Sequence, residues 1–359
     1  MEVIPRTFYL APTSEDTRDE LDEFTEFNNQ YTAVNKYNAS EVSDPSALTP
    51  TGNSECIWIV KPASYANRGF GIKVVQGLCG ALAVARQTSA SKPSSSESTR
   101  SDRSDDSSSV PDETDPTNLK KRAKSIGRSN GWICQEYMRD PLLVSGRKFD
   151  IRCFVLITNS IRDGFKAYWF RDGYIRTSCK KYSLNKLNDR ETHLTNDAVQ
   201  KHSKSYGKFE SGNKLTYSQW QESIAKDYPG SPPDIVASKI IPQMKEISKF
   251  AVIAALDKGL GNTKIQRSFE LLGYDYMVDS KFNPILIEIN TNPCLEFACP
   301  LLESLIGSLI DNVWNVAVDG FFPPPRESER TKRTQDAIQA IEEEPHLFEL
   351  LYDSKDCNH

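Results

Sequence analysis

From Phe269 to Asn292 the chain reads FELLGYDYMVDSKFNPILIEINTN, and no other stretch narrows the possible folds as far. Two runs rich in β-branched and aromatic residues, Leu271 to Val278 and Ile285 to Ile289, flank the turn-forming residues Asp279 to Pro284. The pattern predicts a β-hairpin with a short polar loop. Residues two apart on a strand share a face, so Glu288 and Asn290 point the same way. Asp275 on the partner strand lies across from them if the register allows. Three oxygen-bearing side chains then meet on an otherwise apolar sheet. Such a set suits Mg²⁺, which takes a few protein oxygens and completes its shell with water and phosphate. The alternative is a group of solvated polar residues at a sheet edge.

A second strand carries a similar signal. In GRKFDIRCFV, Lys148, Asp150 and Arg152 alternate with Phe149, Ile151 and Cys153. One face is charged and the other apolar. Three successive charges facing a core would be costly, so that face is expected to line a solvated or ligand-filled cleft. Lys148 suits a phosphate, and Arg152 a carboxylate or phosphate gripped in fork geometry. The strand continues to Thr158, and an antiparallel meander is expected to follow: Phe165 to Phe170, a turn at Arg171-Asp172-Gly173, then Tyr174 to Ser178. Arg171 and Arg176 flank that turn. Beyond it lies His193-Leu194-Thr195-Asn196, where His193 reads better as a hydrogen-bonded loop organiser than as a general base.

Nearer the N-terminus, the buried strand Cys56 to Val60 ends in Lys61-Pro62. The loop 63–70 then returns through Gly71 to Gln76. Gly69 and Gly71 would let backbone N–H groups approach phosphate oxygens, with Lys61 adding charge. No GKS or GKT is present, so this is not a Walker A loop. Gln135, Glu136, Tyr137 and Met138 end another strand, which is either plain core or an edge for a purine base. Helical spacing marks Ser14 to Asn28, Pro233 to Lys258 (with Pro242 expected to kink or restart it) and Pro300 to Val318.

Charge is unevenly spread. Residues 1–56 hold 11 acidic against 3 basic residues, whereas 120–214 hold 21 basic against 9 acidic. The basic middle section implies an anionic partner. The apolar share of 38% is low for a chain that folds throughout. Accordingly, the Ser-rich run from Gln87 to about Glu113 is expected to be a disordered insertion. The eight cysteines form no CxxC pair or zinc-spaced cluster. Several, such as Cys134 and Cys153, sit in apolar runs as small hydrophobes, which suggests a reducing compartment. No apolar run approaches membrane-spanning length, and the acidic N-terminus does not read as a signal peptide.

Taken in order, WIVKP, NRGFGI, QEYM, GRKFDIRCFVL, YWFRDGYIRTS, HLTN, GYDYMVD and LIEIN resemble the tubulin tyrosine ligase-like proteins. The resemblance covers roughly Ile4 to Pro325, apart from the serine-rich run. It implies an α+β ATP-grasp fold, with antiparallel sheets flanked by helices and ATP between two subdomains. Its implied layout is a polar N-terminal segment (1–55), a central subdomain (56–138) interrupted by an insertion at 87–118, a C-terminal subdomain (139–325) and a charged tail (326–359). Proteins of that kind usually carry a further N-terminal domain ahead of WIVKP; here about 55 residues precede it, and IPRTFYL resembles that domain's end. By the same resemblance, Lys61, Gly69, Gly71 and Lys148 would hold ATP phosphates, and Gln135, Glu136, Tyr137 and Met138 would border the adenine. Asp275, Glu288 and Asn290 would hold Mg²⁺. Arg152, Arg176 and Asn196 would hold the reacting amino acids and the γ-phosphate region.

The implied activity is an ATP-dependent ligase that joins a free amino acid to a protein through an acyl phosphate. The acceptor would be the acidic C-terminal tail of tubulin, alone or in microtubules. Glutamate is the favoured donor, since an arginine-rich pocket suits its extra carboxylate; glycine and tyrosine stay open. The rival readings are a catalytically silent microtubule-binding protein and a ligase for small molecules. Neither nucleic acid nor membrane is an expected partner. A monomer in the cytoplasm, on the cytoskeleton or in a cilium or flagellum is expected.

Overall fold

Short alternating strands and a few amphipathic stretches make an α+β structure in which every strand pairing is antiparallel. The computed structural model describes residues 3–11, 19–30, 56–63, 69, 71–87, 131–160, 164–259, 267–318 and 347–356. The chain divides into two units, Pro5–Arg139 with Leu184–Arg190, and Met1–Ile4 with Asp140–Ser183 and Glu191–His359. Among the described residues no helix is long and apolar enough to cross a membrane.

The first unit is built on a four-stranded sheet ordered β1-β4-β2-β3. Its elements are β1 (Thr7–Leu10), helix α1 over 21–30, β2 (Ile57–Pro62), β3 (Lys73–Gln76), α2 (Gly77–Gln87) and β4 (Trp132–Glu136). Leu10, Phe24, Trp58, Val60, Ala81, Val84, Trp132 and Cys134 form its core. Phe24 meets Trp58 edge to face at 4.8 Å, and Trp58 Nε1 donates to Asn28 Oδ1 at 3.2 Å, so α1 is clamped by one aromatic and one polar contact. Helix α2 has no counterpart in the sequence reading. Gly77 enters it with φ 68°, a left-handed conformation open to glycine, and its N–H donates to the Cys56 carbonyl at 2.8 Å. The expected disordered insertion falls outside the described residues, apart from Gln87 at the end of α2.

The second unit holds the larger sheet, ordered β10-β9-β6-β7-β11, with β5 beside β6 and β8 beside β7. These strands are β5 (Leu143–Val144), β6 (Arg147–Ser160), β7 (Gly164–Lys181), β8 (Lys214–Leu215), β9 (Ser268–Val278), β10 (Pro284–Asn290) and β11 (Phe348–Asp353). The expected turn at Arg171-Asp172-Gly173 is not a turn. β7 runs unbroken through it, and the register shifts between the pairs Cys153↔Gly173 and Val155↔Trp169, two steps along β6 against four along β7. The turn-forming residues are absorbed as a bulge. Arg171 and Asp172 are exposed there. Part of the expected charged tail is also corrected: β11 closes the sheet edge at β7, burying Phe348 against Phe170 at 5.1 Å.

Helices cover both sheet faces. α3 (Tyr217–Asp227) starts in a Thr216–Gln219 capping box, and α4 (Ile241–Asp257) starts with Pro242 in its first turn after a π-helical turn over Val236–Ile240. The helix therefore restarts at Pro242, as expected. Trp220, Met244 and neighbours pack on Phe149, Ile151, Cys153 and Val155. On the other face α5 (Pro300–Ala317) packs on Phe154, Leu156, Phe170 and Phe348. By strand alternation this is the face that carries Lys148, Asp150 and Arg152. Along one strand, then, the same face is apolar beneath α5 and charged at the opposite end.

Candidate functional site

The charged end of that face is an ion-pair lattice. The register sets Asp150 opposite Arg176 on β7, and Arg152 opposite Asp275 on β9. Arg152 Nε donates to Asp275 Oδ1 at 2.5 Å and its Nη2 to Oδ2 at 3.0 Å. Arg176 bridges the two acids, with Nε 2.5 Å from Asp150 Oδ1 and Nη2 3.0 Å from Asp275 Oδ2. Thr195 Oγ1 donates to the second oxygen of Asp150. Lys148 Nζ donates to the carbonyl of His193 at 2.9 Å. All of these charged side chains are buried. Of the expected alternatives, a solvated or a ligand-filled cleft, the solvated one is corrected by this pairing: signs alternate along and across the strands, Asp150, Arg152, Arg176 and Asp275 meet opposite charges, and Lys148 meets a backbone carbonyl.

The electrostatics follow. Burial pushes the Asp275 carboxyl up, but Arg176 and Arg152 outweigh it and hold the group well below the usual carboxylate range. Burial pushes the Lys148 ammonium down to about 8, with Asp150 opposing. Cys153, on the opposite face of β6, is driven well above the ordinary thiol value by burial and serves as core.

At the rim, β10 places Glu288 directly opposite Asp275, and Asn290 opposite Gly273. Asn290 Nδ2 lies 3.4 Å from Asp275 Oδ2, 3.5 Å from Glu288 Oε1 and 3.4 Å from the Gly273 carbonyl. Three oxygens thus converge on one amide, and a half-turn of that amide would present its own oxygen to them. This donor chemistry fits a hard divalent ion of the Mg²⁺ kind, with Glu288 the exposed ligand. Among the described residues there is no group of three or more His, Cys, Asp and Glu suited to a metal, so the amide is essential to such a site.

Asn196 lies on the same loop as His193 and Thr195, and its carbonyl accepts from Val199 N at 2.9 Å. His193 is buried with its ring edge-on to Tyr182, in keeping with loop organisation. Arg171, the other arginine at the expected turn, instead pairs on the surface with Glu349 at 3.0 Å. An open groove of 560 Å³ lies elsewhere in this unit, lined by Phe209, Glu210, Lys214, Leu215, Gln219 and Leu301 among others.

The remaining candidate residues belong to the first unit. Lys61 and Gln135 share a face of the β2–β4 pair, and Lys61 Nζ donates to Gln135 Oε1 at 3.3 Å. Gln135 Nε2 in turn donates to Thr7 Oγ1 at 3.0 Å. Gly69 and Gly71 have φ of 76° and 77°, conformations that glycine adopts without strain. The Gly69 carbonyl accepts from Arg190 Nη2 at 2.8 Å; residues 64–68 and 70, the rest of the expected cradle, lie outside the described residues. The N–H groups of Glu136 and Tyr137 are engaged by the carbonyls of Arg6 and Ile57, and Met138 follows them half-buried.

A sequence model described as the tubulin-tyrosine ligase family matches residues 4–328. The chain belongs to that family. Among curated relatives of this tubulin-tyrosine ligase family chain, the Tetrahymena thermophila protein named "Tubulin glycylase 3D" is 30% identical over 85% of the chain and 24% of its own length. The human "Protein monoglycylase TTLL8" is 33% identical over 54% of the chain and 22% of its own length. The mouse "Probable tubulin polyglutamylase TTLL9" is 29% identical over 68% of the chain and 50% of its own length. The matched part of the chain thus spans half or less of these relatives. Family members are tubulin-modifying, ATP-dependent ligases.

Two participants went unassigned in the sequence reading. Asp150 was read only as part of an alternation, and Thr195 only as part of a loop. Their contact joins residues 45 positions apart, and no local pattern announces it.

Proposed function

We propose that the chain is an ATP-dependent ligase that adds an amino acid, glycine or glutamate, to an acidic tail of tubulin. The observation that carries this reading is the lattice of Lys148, Asp150, Arg152, Arg176 and Asp275, with Glu288 and Asn290 at its rim. Lys148 and Arg176 would hold phosphate oxygens, and Lys61 with Gly69 and Gly71 would add phosphate contacts. Gln135 to Met138 would border the adenine. Asp275, Glu288 and Asn290 would hold Mg²⁺, which supplies charge neutralisation on the phosphates when bound. Arg152, Arg176 and Asn196 would orient the acceptor carboxylate and the incoming amine.

The acceptor carboxylate takes the γ-phosphoryl group of ATP, releasing ADP and leaving an acyl phosphate. The donor amine then attacks that carbonyl carbon, and phosphate leaves as the amide forms. No side chain forms a covalent bond in this scheme; the protein positions the reactants and stabilises charge. An arginine-rich site favours glutamate through its side-chain carboxylate. Glycine is supported by the internal pairing of both guanidiniums with Asp150 and Asp275, which occupies the groups a second carboxylate would need. Glycylases and polyglutamylases both stand among the relatives.

The test is mass spectrometry of tubulin incubated with the purified chain, Mg-ATP, and glycine and glutamate of distinct isotopic label, beside a Glu288→Gln control. A wild-type mass increment in labelled glycine or glutamate residues is expected and identifies the donor. No increment from a chain that still binds Mg-ATP would reject ligase activity on tubulin.

A further inference from the structure

Gln200 is almost wholly buried, at 1% exposure, and lies outside the ion lattice. Its side-chain amide makes three hydrogen bonds, all to backbone. Oε1 accepts from Cys179 N at 2.7 Å, and Nε2 donates to the carbonyls of Glu191 at 3.0 Å and Leu194 at 2.5 Å. Cys179 lies near the end of β7, three residues beyond Arg176. Glu191 and Leu194 bracket His193, whose carbonyl receives Lys148, and Leu194 is followed at once by Thr195, which holds Asp150. One amide thus ties the turn that receives two lattice side chains to the strand that supplies a third.

We propose that Gln200 is a positioning residue for the nucleotide site: it fixes the His193–Asn196 turn against β7 and so sets where Lys148 and Asp150 are held. This rests on the nucleotide reading above. The bonding pattern favours this role over simple core filling, because an apolar side chain of the same volume would fill the space equally well. Such a side chain would leave one N–H and two carbonyls without Gln200 as partner, and would loosen the turn against β7. Other contacts also hold the segment, the Lys180–Glu191 pair at 3.6 Å and the Lys214–Asp197 pair at 2.7 Å among them, but both are made by side chains at its ends, whereas Gln200 grips the backbone on either side of His193.

The experiment compares wild type, Gln200→Met, Lys148→Met and the double variant. Mg-ATP affinity is measured by calorimetry, alongside the thermal midpoint of the ligand-free chain. Gln200→Met is expected to weaken Mg-ATP binding roughly tenfold per folded molecule, and to add no further loss in the Lys148→Met background. Unchanged affinity, or losses that simply add, would overturn the proposal. If Gln200→Met fails to fold, Gln200→Glu serves the same comparison, since it keeps the acceptor for Cys179 N–H and lacks both donors. Hydrogen exchange on the ligand-free chain gives a readout independent of nucleotide: amides of 194–199 should exchange faster in Gln200→Glu, and equal rates count against the tether. A folded wild type that binds no Mg-ATP would overturn the nucleotide reading and this inference with it. Wild-type binding with unaltered Gln200 variants would overturn this inference alone.

Discussion

Replacing Asp275 by Asn removes the one carboxylate that both Arg152 and Arg176 share. Asn keeps the volume, but it turns one accepting oxygen into an N–H₂ facing guanidinium donors and deletes the negative charge. Arg176 keeps Asp150, while Arg152 loses the carboxylate that grips it through two hydrogen bonds. Breaking a buried ion pair from one side costs about 3–5 kcal/mol. For a unit of this size that is a fall in thermal midpoint of roughly 10 °C. The assay is urea unfolding in EDTA, which keeps any metal contribution out, read by the fluorescence of Trp169 and Trp220 in the core of the same unit. The pH dependence has a fixed sign. The Asp275 carboxyl is held below its ordinary value of 3.8, so its stabilisation is complete above that value and lost as pH falls through the lower, folded one. The gap between wild type and Asp275→Asn should therefore stay level from neutral pH down to about 4 and close only below it. Adding Arg152→Met should recover part of the loss. A destabilisation under about 1 kcal/mol at neutral pH would refute the view that the lattice is charge-compensated in the absence of ligand.

Lys148, pushed down to about 8, should lose its charge as pH rises through that value, so Mg-ATP affinity measured by calorimetry should fall between pH 7 and 9 and stay flat in Lys148→Met. Folding stability should move the other way, since the unfolded chain holds the lysine proton up to the ordinary value of 10.5 and the burial penalty is relieved between the two. Gly173→Ala would put a methyl 2.2 Å from Tyr217 Oη and 2.6 Å from the Arg152 carbonyl, so a loss of about 1–3 kcal/mol is expected in chemical unfolding. Tyr217→Phe should restore part of that loss and be neutral or stabilising alone, because the buried Tyr217 hydroxyl has no hydrogen-bond partner among the described residues. Phe348→Ala should cost about 3–5 kcal/mol by opening a cavity against Phe170; an unchanged midpoint would show that β11 contributes nothing to the core.

Where local pattern and tertiary environment agreed, the elements were legible. The hairpin of β9 and β10, the alternation on β6 and the restart of a helix at Pro242 all follow from periodicity or from proline's missing N–H. Where a local signal met a stronger tertiary one, the reading failed. Arg171-Asp172-Gly173 has turn chemistry, yet pairing with β6 on one side and β11 on the other holds β7 extended and turns those residues into a bulge. Helix α3 escaped notice because only Trp220 and Ile224 on it are buried, too few to stand out as a stripe. β11 hid among charged residues, since a single edge strand needs just one well-buried anchor, here Phe348.

The same division holds for the site. By itself the sequence determined which face of β6 is charged, that Glu288 and Asn290 share a side, and, through its ordered motifs, the family. These are properties of residue type and of the two-residue period of a strand. Tertiary structure alone decided that Asp275 stands opposite both Arg152 and Glu288, that Arg176 bridges two acids, and that Thr195, His193 and Gln200 close the lattice from a distant loop. The ion pairs among those contacts join residues 26 to 123 positions apart. They depend on register and on which faces the helices leave uncovered, and a buried charge is tolerated only where that geometry supplies its opposite.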